Sequence, residues 1–143
     1  MSAKKQKELQ EQLARALADY DNLRKRVERE RGDLAEALTA RLVSTLMPAF
    51  DMLFKAQEHL SDSGLAMGME ELKRGLGDMQ IEEIPAEPGT SFDENLHEAV
   101  FVADRGKAKN KKKNEIKKLI LAGWKFRNGP VIRHAKVEVA GNT

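Results

Sequence analysis

The residue types that most often perform catalysis are few in this chain, and they are widely spaced. The three histidines, His59, His97 and His134, lie far apart without the HExxH spacing of zinc peptidases, and there is no cysteine. A thiolate metal site, a disulfide framework and a cysteine nucleophile are therefore excluded. No GxxxxGK(S/T) loop and no GxGxxG turn provides a site for phosphate groups. We expect a protein that is not an enzyme and that has no metal and no cofactor.

A basic segment is the next group of residues that could bind a ligand. Residues 107–118 include seven lysines in twelve positions, a composition that could neutralise nucleic-acid phosphates. The segment contains no aromatic residue and no arginine, so it offers neither base stacking nor bidentate contacts to guanine. We interpret it as a solvated loop and expect no nucleic-acid partner. The alternative function is a dimeric coiled-coil adaptor with a lysine-rich module that binds nucleic acid.

Charge is unevenly distributed along the chain. Its 143 residues include 25 Lys+Arg and 23 Asp+Glu, for a net charge of +2. Residues 105–136 alone sum to +11, and the remainder sums to −9. This asymmetry indicates two modules with different electrostatic surroundings, or a basic loop that serves an acidic partner. Because no run of eighteen apolar residues and no signal sequence is visible, we expect a cytoplasmic protein without a membrane partner.

The N-terminal third of the chain has the spacing of a coiled coil. Its apolar residues recur in steps of four and three at Leu9, Leu13, Ala16, Tyr20, Leu23 and Val27 and, after a polar position, at Leu34. The pattern predicts one long helix, since no proline interrupts residues 2–47. A helix with one narrow apolar stripe needs a partner of similar length, and the chain contains no second one. We therefore predict a homodimer.

Shorter segments follow the long helix. Pro48 is expected to end or kink it, and residues 49–60 again show apolar periodicity. After a loop at 61–64, a further helix has Leu65, Met69, Leu72, Leu76 and Met79 at helical spacing. Doubled in a dimer, these two segments are expected to form a four-helix bundle.

Turn residues and short β-branched runs from residue 85 onward predict a small β domain. Its predicted strands cover residues 98–103, 115–121, 124–126 and 131–139, and Asn128, Gly129 and Pro130 turn the last hairpin. The predicted fold class is α+β. The predicted domains are residues 1–47 as a long coiled-coil helix, 48–84 as the dimeric bundle segment and 85–143 as the β domain.

Five stretches resemble, in order, motifs of the GrpE family. They read ADYDNLRKRVERER at 18–31, LMPAFDMLFKA at 46–56, GMEELKRGL at 68–76, FDENLHEAV at 92–100 and GWKFRNGPVIRHAKVEV at 123–139. The resemblance implies a co-chaperone that acts as a nucleotide exchange factor. Such a protein binds the ATPase domain of a DnaK-type heat-shock chaperone and promotes ADP release without covalent chemistry.

The resemblance also assigns residues to surfaces. In the β domain Phe92, Ile120 and Val139 match apolar chaperone-contact positions, although each could equally belong to the domain core. The other implied assignments are Arg127 and Arg133 as polar contacts, Arg24, Lys25 and Arg26 as a secondary contact on the long helix, and Asn95, Leu96 and His97 as braces of a turn. The predicted dimer interface comprises Leu9, Leu13, Tyr20, Leu23, Val27, Leu34 and Gly68, where a glycine favours close helix approach. Pro130 stands where the family usually has a basic residue, which leaves Arg127 as the candidate for that charge.

Overall fold

The computed structural model describes residues 2–102 and 115–140. They form two helices and six short strands, in agreement with the predicted α+β class. The elements are α1 (Ala3–Leu60), α2 (Ser63–Asp78), β1 (Ile81–Glu83), β2 (His97–Val102), β3 (Ile116–Leu121), β4 (Trp124–Phe126), β5 (Val131–Arg133) and β6 (Ala135–Ala140). The chain divides into two compact units, Met1–Leu42 and Val43–Thr143.

The described part of the first unit is helical from Ala3 onward and has no buried residue. Its 40 or so helical residues extend about 60 Å at 1.5 Å per residue. An ion pair joins Asp21 and Lys25, four residues apart on this helix, with 2.9 Å between Oδ2 and Nζ. Exposed ion pairs of this kind contribute a few tenths of a kcal/mol to the stability of a helix. They support the helix locally, but they do not cover its apolar stripe as a second helix would.

The sequence predicted that Pro48 would either end or kink the long helix, and the helix does not end there. Instead α1 continues without a break to Leu60, and the expected segment 49–60 is its last part. A proline inside a helix costs about 3 kcal/mol through a lost hydrogen bond and a clash with the preceding turn. Val43 and Met47, just before it, are almost completely buried. Burial of two such side chains, about 2 kcal/mol each, offsets that cost.

One 18-residue window of α1 is long and apolar enough to cross a membrane, by length and composition alone, and 11% of it is buried. This window passes on its mean hydropathy, and the sequence still contains no uninterrupted run of eighteen apolar residues. The core helix of a water-soluble protein can pass the same test. The absence of a membrane partner remains a prediction.

The second helix begins earlier than predicted, and the loop before it shortens to Ser61 and Asp62. The carboxylate of Asp62 caps the helix by accepting a hydrogen bond from the backbone N–H of Leu65 at 2.8 Å. Lys73 then links α2 to its surroundings: its Nζ lies 5.3 Å from the centre of the Phe54 ring and 3.4 Å from Glu83 Oε2. These contacts fix α2 within the second unit.

The strands form two three-stranded sheets. The first has the order β1-β4-β5 and is antiparallel throughout. The second has the order β2-β6-β3, with β2 parallel and β3 antiparallel to β6. The sequence missed β1, whose three residues are too few for a clear alternation of apolar and polar side chains.

The predicted strand 131–139 is in fact two strands in different sheets. β5 ends at Arg133 and β6 starts at Ala135, so the chain leaves one sheet and enters the other at His134. The predicted turn before it is confirmed: Phe126 N–H donates to the Pro130 carbonyl at 3.1 Å, and Gly129 N–H donates to the Phe126 carbonyl at 3.2 Å.

The core of the β domain lies on one face of the second sheet. Its buried members are Ile84, Ala86, Ile116, Ala135, Val137 and Val139. Alternate residues of β6 are buried, so one face of this strand belongs to the core. This core holds the strands and turns that carry the candidate site residues.

Candidate functional site

Ile120 lies in a β-bulge of β3, the strand at one end of the second sheet. Leu119 pairs with Val137 and Leu121 pairs with Lys136, so Ile120 is the extra residue between two adjacent partners. Bulges change the direction in which a side chain points. The Ile120 side chain is 42% exposed, whereas the strand begins with the buried Ile116. The sequence-predicted contact position is thus an apolar side chain directed toward solvent.

A cleft of about 260 Å³ adjoins Ile120. One wall is the segment from Leu119 to Ala122, and the opposite wall comes from the last part of α1. The α1 and β1 residues that line it are Asp51, Phe54, Lys55, Glu58 and Glu83. The cleft therefore combines apolar side chains with acidic ones, and Ile120 stands at a surface that a partner protein could contact.

Phe92 and Val139 are placed differently from Ile120. Val139 is 4% exposed and belongs to the core, which favours the core interpretation that the sequence left open. Phe92 is half-buried, packs on the same core, and has its ring centre 5.8 Å from that of His97. A buried side chain offers almost no area to another protein, so Val139 can act on a contact surface only by supporting it.

Arg127 occupies the turn between β4 and β5 and is half exposed. Its backbone N–H donates to the Gln80 carbonyl at 2.7 Å, and Nη1 donates to Gln80 Oε1 at 3.3 Å. Its Nε lies 3.8 Å from Glu82 Oε2. The guanidinium is thus held over β1 yet remains accessible, with 51% of the side chain exposed. That geometry keeps Arg127 available as a polar contact beside Pro130.

Arg133 directs its donors into the protein. Nη1 and Nη2 donate to the two carboxylate oxygens of Asp51 at 2.7 and 2.8 Å, and Nε donates to the Ala122 carbonyl at 3.1 Å. Sequence reasoning did not find this pair, whose members are 82 residues apart. The structure therefore places Arg133 in an internal contact rather than on an open surface.

A network of hydrogen bonds braces the turn before β2, as the sequence predicted for His97. The buried His97 accepts the Asp93 N–H at Nδ1 (3.0 Å), so its Nε2 carries the proton and donates to the Pro85 carbonyl at 2.7 Å. Asp93 Oδ1 in turn accepts the backbone N–H of Asn95 at 2.9 Å. The histidine thereby links the turn to the segment before it.

The basic group Arg24, Lys25 and Arg26 lies on the exposed surface of the first unit. Arg24 and Lys25 share Asp21, at 3.5 and 2.9 Å, and Arg26 lies 3.6 Å from Glu30. These three side chains are 58–66% exposed. The carboxylates of Asp21 and Glu30 therefore pair only weakly with these basic side chains, and a partner protein could still reach the three cations.

The predicted dimer-interface residues have no packing partner within the described chain. The seam side chains are between 38% and 65% exposed; they are Leu9, Leu13, Tyr20, Leu23, Val27 and Leu34. A Cβ added to Gly68 would meet no atom within 4 Å. Among the residues that the structure describes, no other helix therefore approaches Gly68 closely.

Two further expectations concern metal binding and the lysine-rich segment. Within residues 2–102 and 115–140, no three His, Cys, Asp or Glu side chains come close enough to form a metal-binding group. Most of the lysine-rich segment, 107–114, lies outside the described residues, and its last two lysines belong to β3. The nucleic-acid alternative depends mainly on lysines that lie outside the described residues.

The fold and these surfaces define an α+β protein with candidate contact residues in its β domain and on its long helix. A family model described as GrpE matches residues 1–141. The chain belongs to the GrpE family, a family of co-chaperones of DnaK-type chaperones and not of enzymes.

Relatives named Protein GrpE cover most of the chain. One from Coxiella burnetii (strain Dugway 5J108-111) is 33% identical over an alignment of 143 positions, which covers 94% of this chain and 68% of the relative. One from a Nitratiruptor species is 33% identical over an alignment of 150 positions, which covers 96% of this chain and 81% of the relative. One from Clostridium tetani (strain Massachusetts / E88) is 31% identical over 137 residues, covering 92% and 66%.

Proposed function

We propose that this chain is a homodimeric nucleotide exchange factor that binds the ATPase domain of a DnaK-type chaperone and promotes ADP release. The observation that carries the proposal is Ile120, an apolar side chain that a β-bulge turns into solvent. Exposed apolar anchors on well-packed domains are typical of protein-contact sites. Arg127 supplies an accessible polar side chain on the same domain, and family membership supports the choice of partner.

The proposed mechanism is a coupling between two ligands of the chaperone. If the exchange factor binds the open nucleotide cleft better than the closed one, and ADP favours the closed one, each ligand weakens the other by the same factor. Every tenfold loss of ADP affinity corresponds to about 1.4 kcal/mol. The exchange factor needs no catalytic group of its own, so we expect it neither to bind nor to hydrolyse ATP.

A second copy of the chain is the proposed partner of the exposed seam. Side chains of the segments expected to form the bundle are also exposed, among them Met52, Leu60 and Met67 at 69–74%. Apolar surface of this extent on helices is normally covered by another helix. The division into a coiled coil (1–47), a bundle segment (48–84) and a β domain (85–143) belongs to the same proposal, as does a cytoplasmic location.

Release of a fluorescent ADP analogue from the chaperone's ATPase domain tests the proposal. We expect the chain to accelerate release in proportion to its concentration until a maximum is reached. An unchanged release rate at a concentration where binding is saturated would overturn exchange activity. Binding of duplex DNA that weakens steeply with salt, without binding to the ATPase domain, would instead favour the nucleic-acid adaptor.

A further inference from the structure

Arg133 connects three segments of the second unit. It belongs to β5, its fork binds both carboxylate oxygens of Asp51 on α1, and its Nε binds the carbonyl of Ala122 directly after β3. The Asp51 and Arg133 side chains are 17% and 26% exposed, so water screens the pair only partly. A bidentate contact constrains direction as well as distance, because two parallel hydrogen bonds must be kept at once.

The Ala122 contact brings this constraint to the candidate chaperone-contact residue. Ala122 follows Ile120 by two positions, and β3 ends between them at Leu121. A bulge loosens the backbone pairing at Ile120 itself. The strand end that carries Ile120 is therefore held to α1 through the guanidinium of Arg133 as well as through the β-ladder.

From this geometry we propose that Arg133 is a positioning residue for nucleotide exchange. Held by Asp51 and Ala122, it keeps Ile120 at a fixed place relative to residues 43–60 of α1, so that contact with the chaperone opens the nucleotide cleft instead of displacing the β domain. This inference rests on the exchange function proposed above. A contact surface that could shift would adapt to the closed cleft and would bind it as well as the open one.

The loss of such a constraint has a specific thermodynamic signature. Only the difference in affinity between the open and closed chaperone weakens ADP binding. A loosened contact surface binds both states more equally, so the maximal acceleration of release falls even when every chaperone molecule is occupied. A residue that merely stabilises the fold behaves otherwise, because adding more protein replaces the unfolded fraction. A residue that touches the chaperone directly would mainly raise the half-saturating concentration.

The experiment compares full-length Asp51→Asn and Arg133→Lys with the wild-type chain. Asp51→Asn removes the charge while keeping the size, and Arg133→Lys keeps the charge while removing the fork. Lys125→Gln is the matched control, because Lys125 belongs to an ion pair with Glu82 (3.5 Å) in the first sheet that does not reach α1. Release of fluorescent ADP is followed at increasing concentrations, calorimetry establishes saturation, and thermal unfolding reports stability.

We expect both variants to reach a maximal acceleration about fivefold or more below that of the wild type, while the control matches the wild type. The double variant should lose no more than the worse single variant, since both changes remove the same link. Variants that reach the wild-type maximum at any concentration would overturn the inference alone. A wild-type chain that binds without accelerating release would overturn the proposed function and the inference together.

Discussion

Gly123 packs directly against the backbone of Ala135, at the point where the chain enters β4 opposite the start of β6. A Cβ on Gly123 would lie 2.2 Å from the Ala135 nitrogen and 2.6 Å from its Cα. Both residues are buried, and these contacts involve backbone atoms that cannot rotate away. The two sheets can approach at this place only because residue 123 has no side chain.

Replacement of Gly123 by alanine should therefore destabilise the β domain. Overpacking against fixed backbone costs about 1–3 kcal/mol, which urea unfolding of the full chain would measure. The matched control is Gly32→Ala on α1, where an added Cβ meets no atom within 4 Å. There we expect a gain of about 0.5–1 kcal/mol, since alanine favours a helix more than glycine does. Equal effects at the two positions would contradict the packing argument.

The turn before β2 gives a second prediction. His97→Ala should cost about 2–4 kcal/mol of stability, because the Asp93 N–H and the Pro85 carbonyl both lose a buried partner. Asn95→Ala should be nearly neutral, since the hydrogen bond of Asn95 comes from its backbone N–H. Chemical unfolding followed by the fluorescence of Trp124, which is 2% exposed, would compare the two variants. A silent His97→Ala would refute the bracing role.

Local patterns predicted most elements, and long-range contacts account for what they missed. The heptad spacing from Leu9 indicated the long helix, and the short β-branched runs after residue 85 indicated the β domain, because both depend on neighbours in sequence. The change of sheet at His134 was not predicted, since residues 131–139 contain no glycine or proline that would mark a break. The continuation of α1 past Pro48 depends on burial of Val43 and Met47, which proline's intrinsic preference does not show.

The candidate site was predictable to a similar degree. The family resemblance selected Ile120 and Val139 together as contact positions. The three-dimensional structure is needed to show that Ile120 is exposed in a bulge and that Val139 is buried. The contact between Asp51 and Arg133 had no local signal, because its members are 82 residues apart and each residue type is common on surfaces.

Ile120 and Val139 should respond to substitution in opposite ways. Ile120→Ala removes an exposed side chain, so we expect about tenfold weaker binding to the chaperone ATPase domain, or about 1.4 kcal/mol, with little change in stability. Val139→Ala leaves a small cavity in the core and should lower the free energy of unfolding by about 1–2.5 kcal/mol. Its affinity per folded molecule should stay near that of the wild type. Calorimetric titration together with urea unfolding measures both quantities, and weaker binding by Val139→Ala alone would reverse the assignment.

The seam of the first unit gives the last prediction, which concerns assembly. Sedimentation equilibrium should give twice the chain mass of 16.0 kDa, because the apolar side chains from Leu9 to Leu34 have no partner within the described chain.

Leu23→Asp places a carboxylate in that seam in both copies, and a buried unpaired charge costs about 3 kcal/mol or more. We expect the helical signal to melt at a lower temperature and the dimer to dissociate at a higher concentration. Asn22→Asp introduces the same charge one residue away, on the exposed side of the helix, and should leave both quantities nearly unchanged. A wild-type chain that sediments as a monomer, or equal effects of the two substitutions, would mean that something other than a second copy covers the seam.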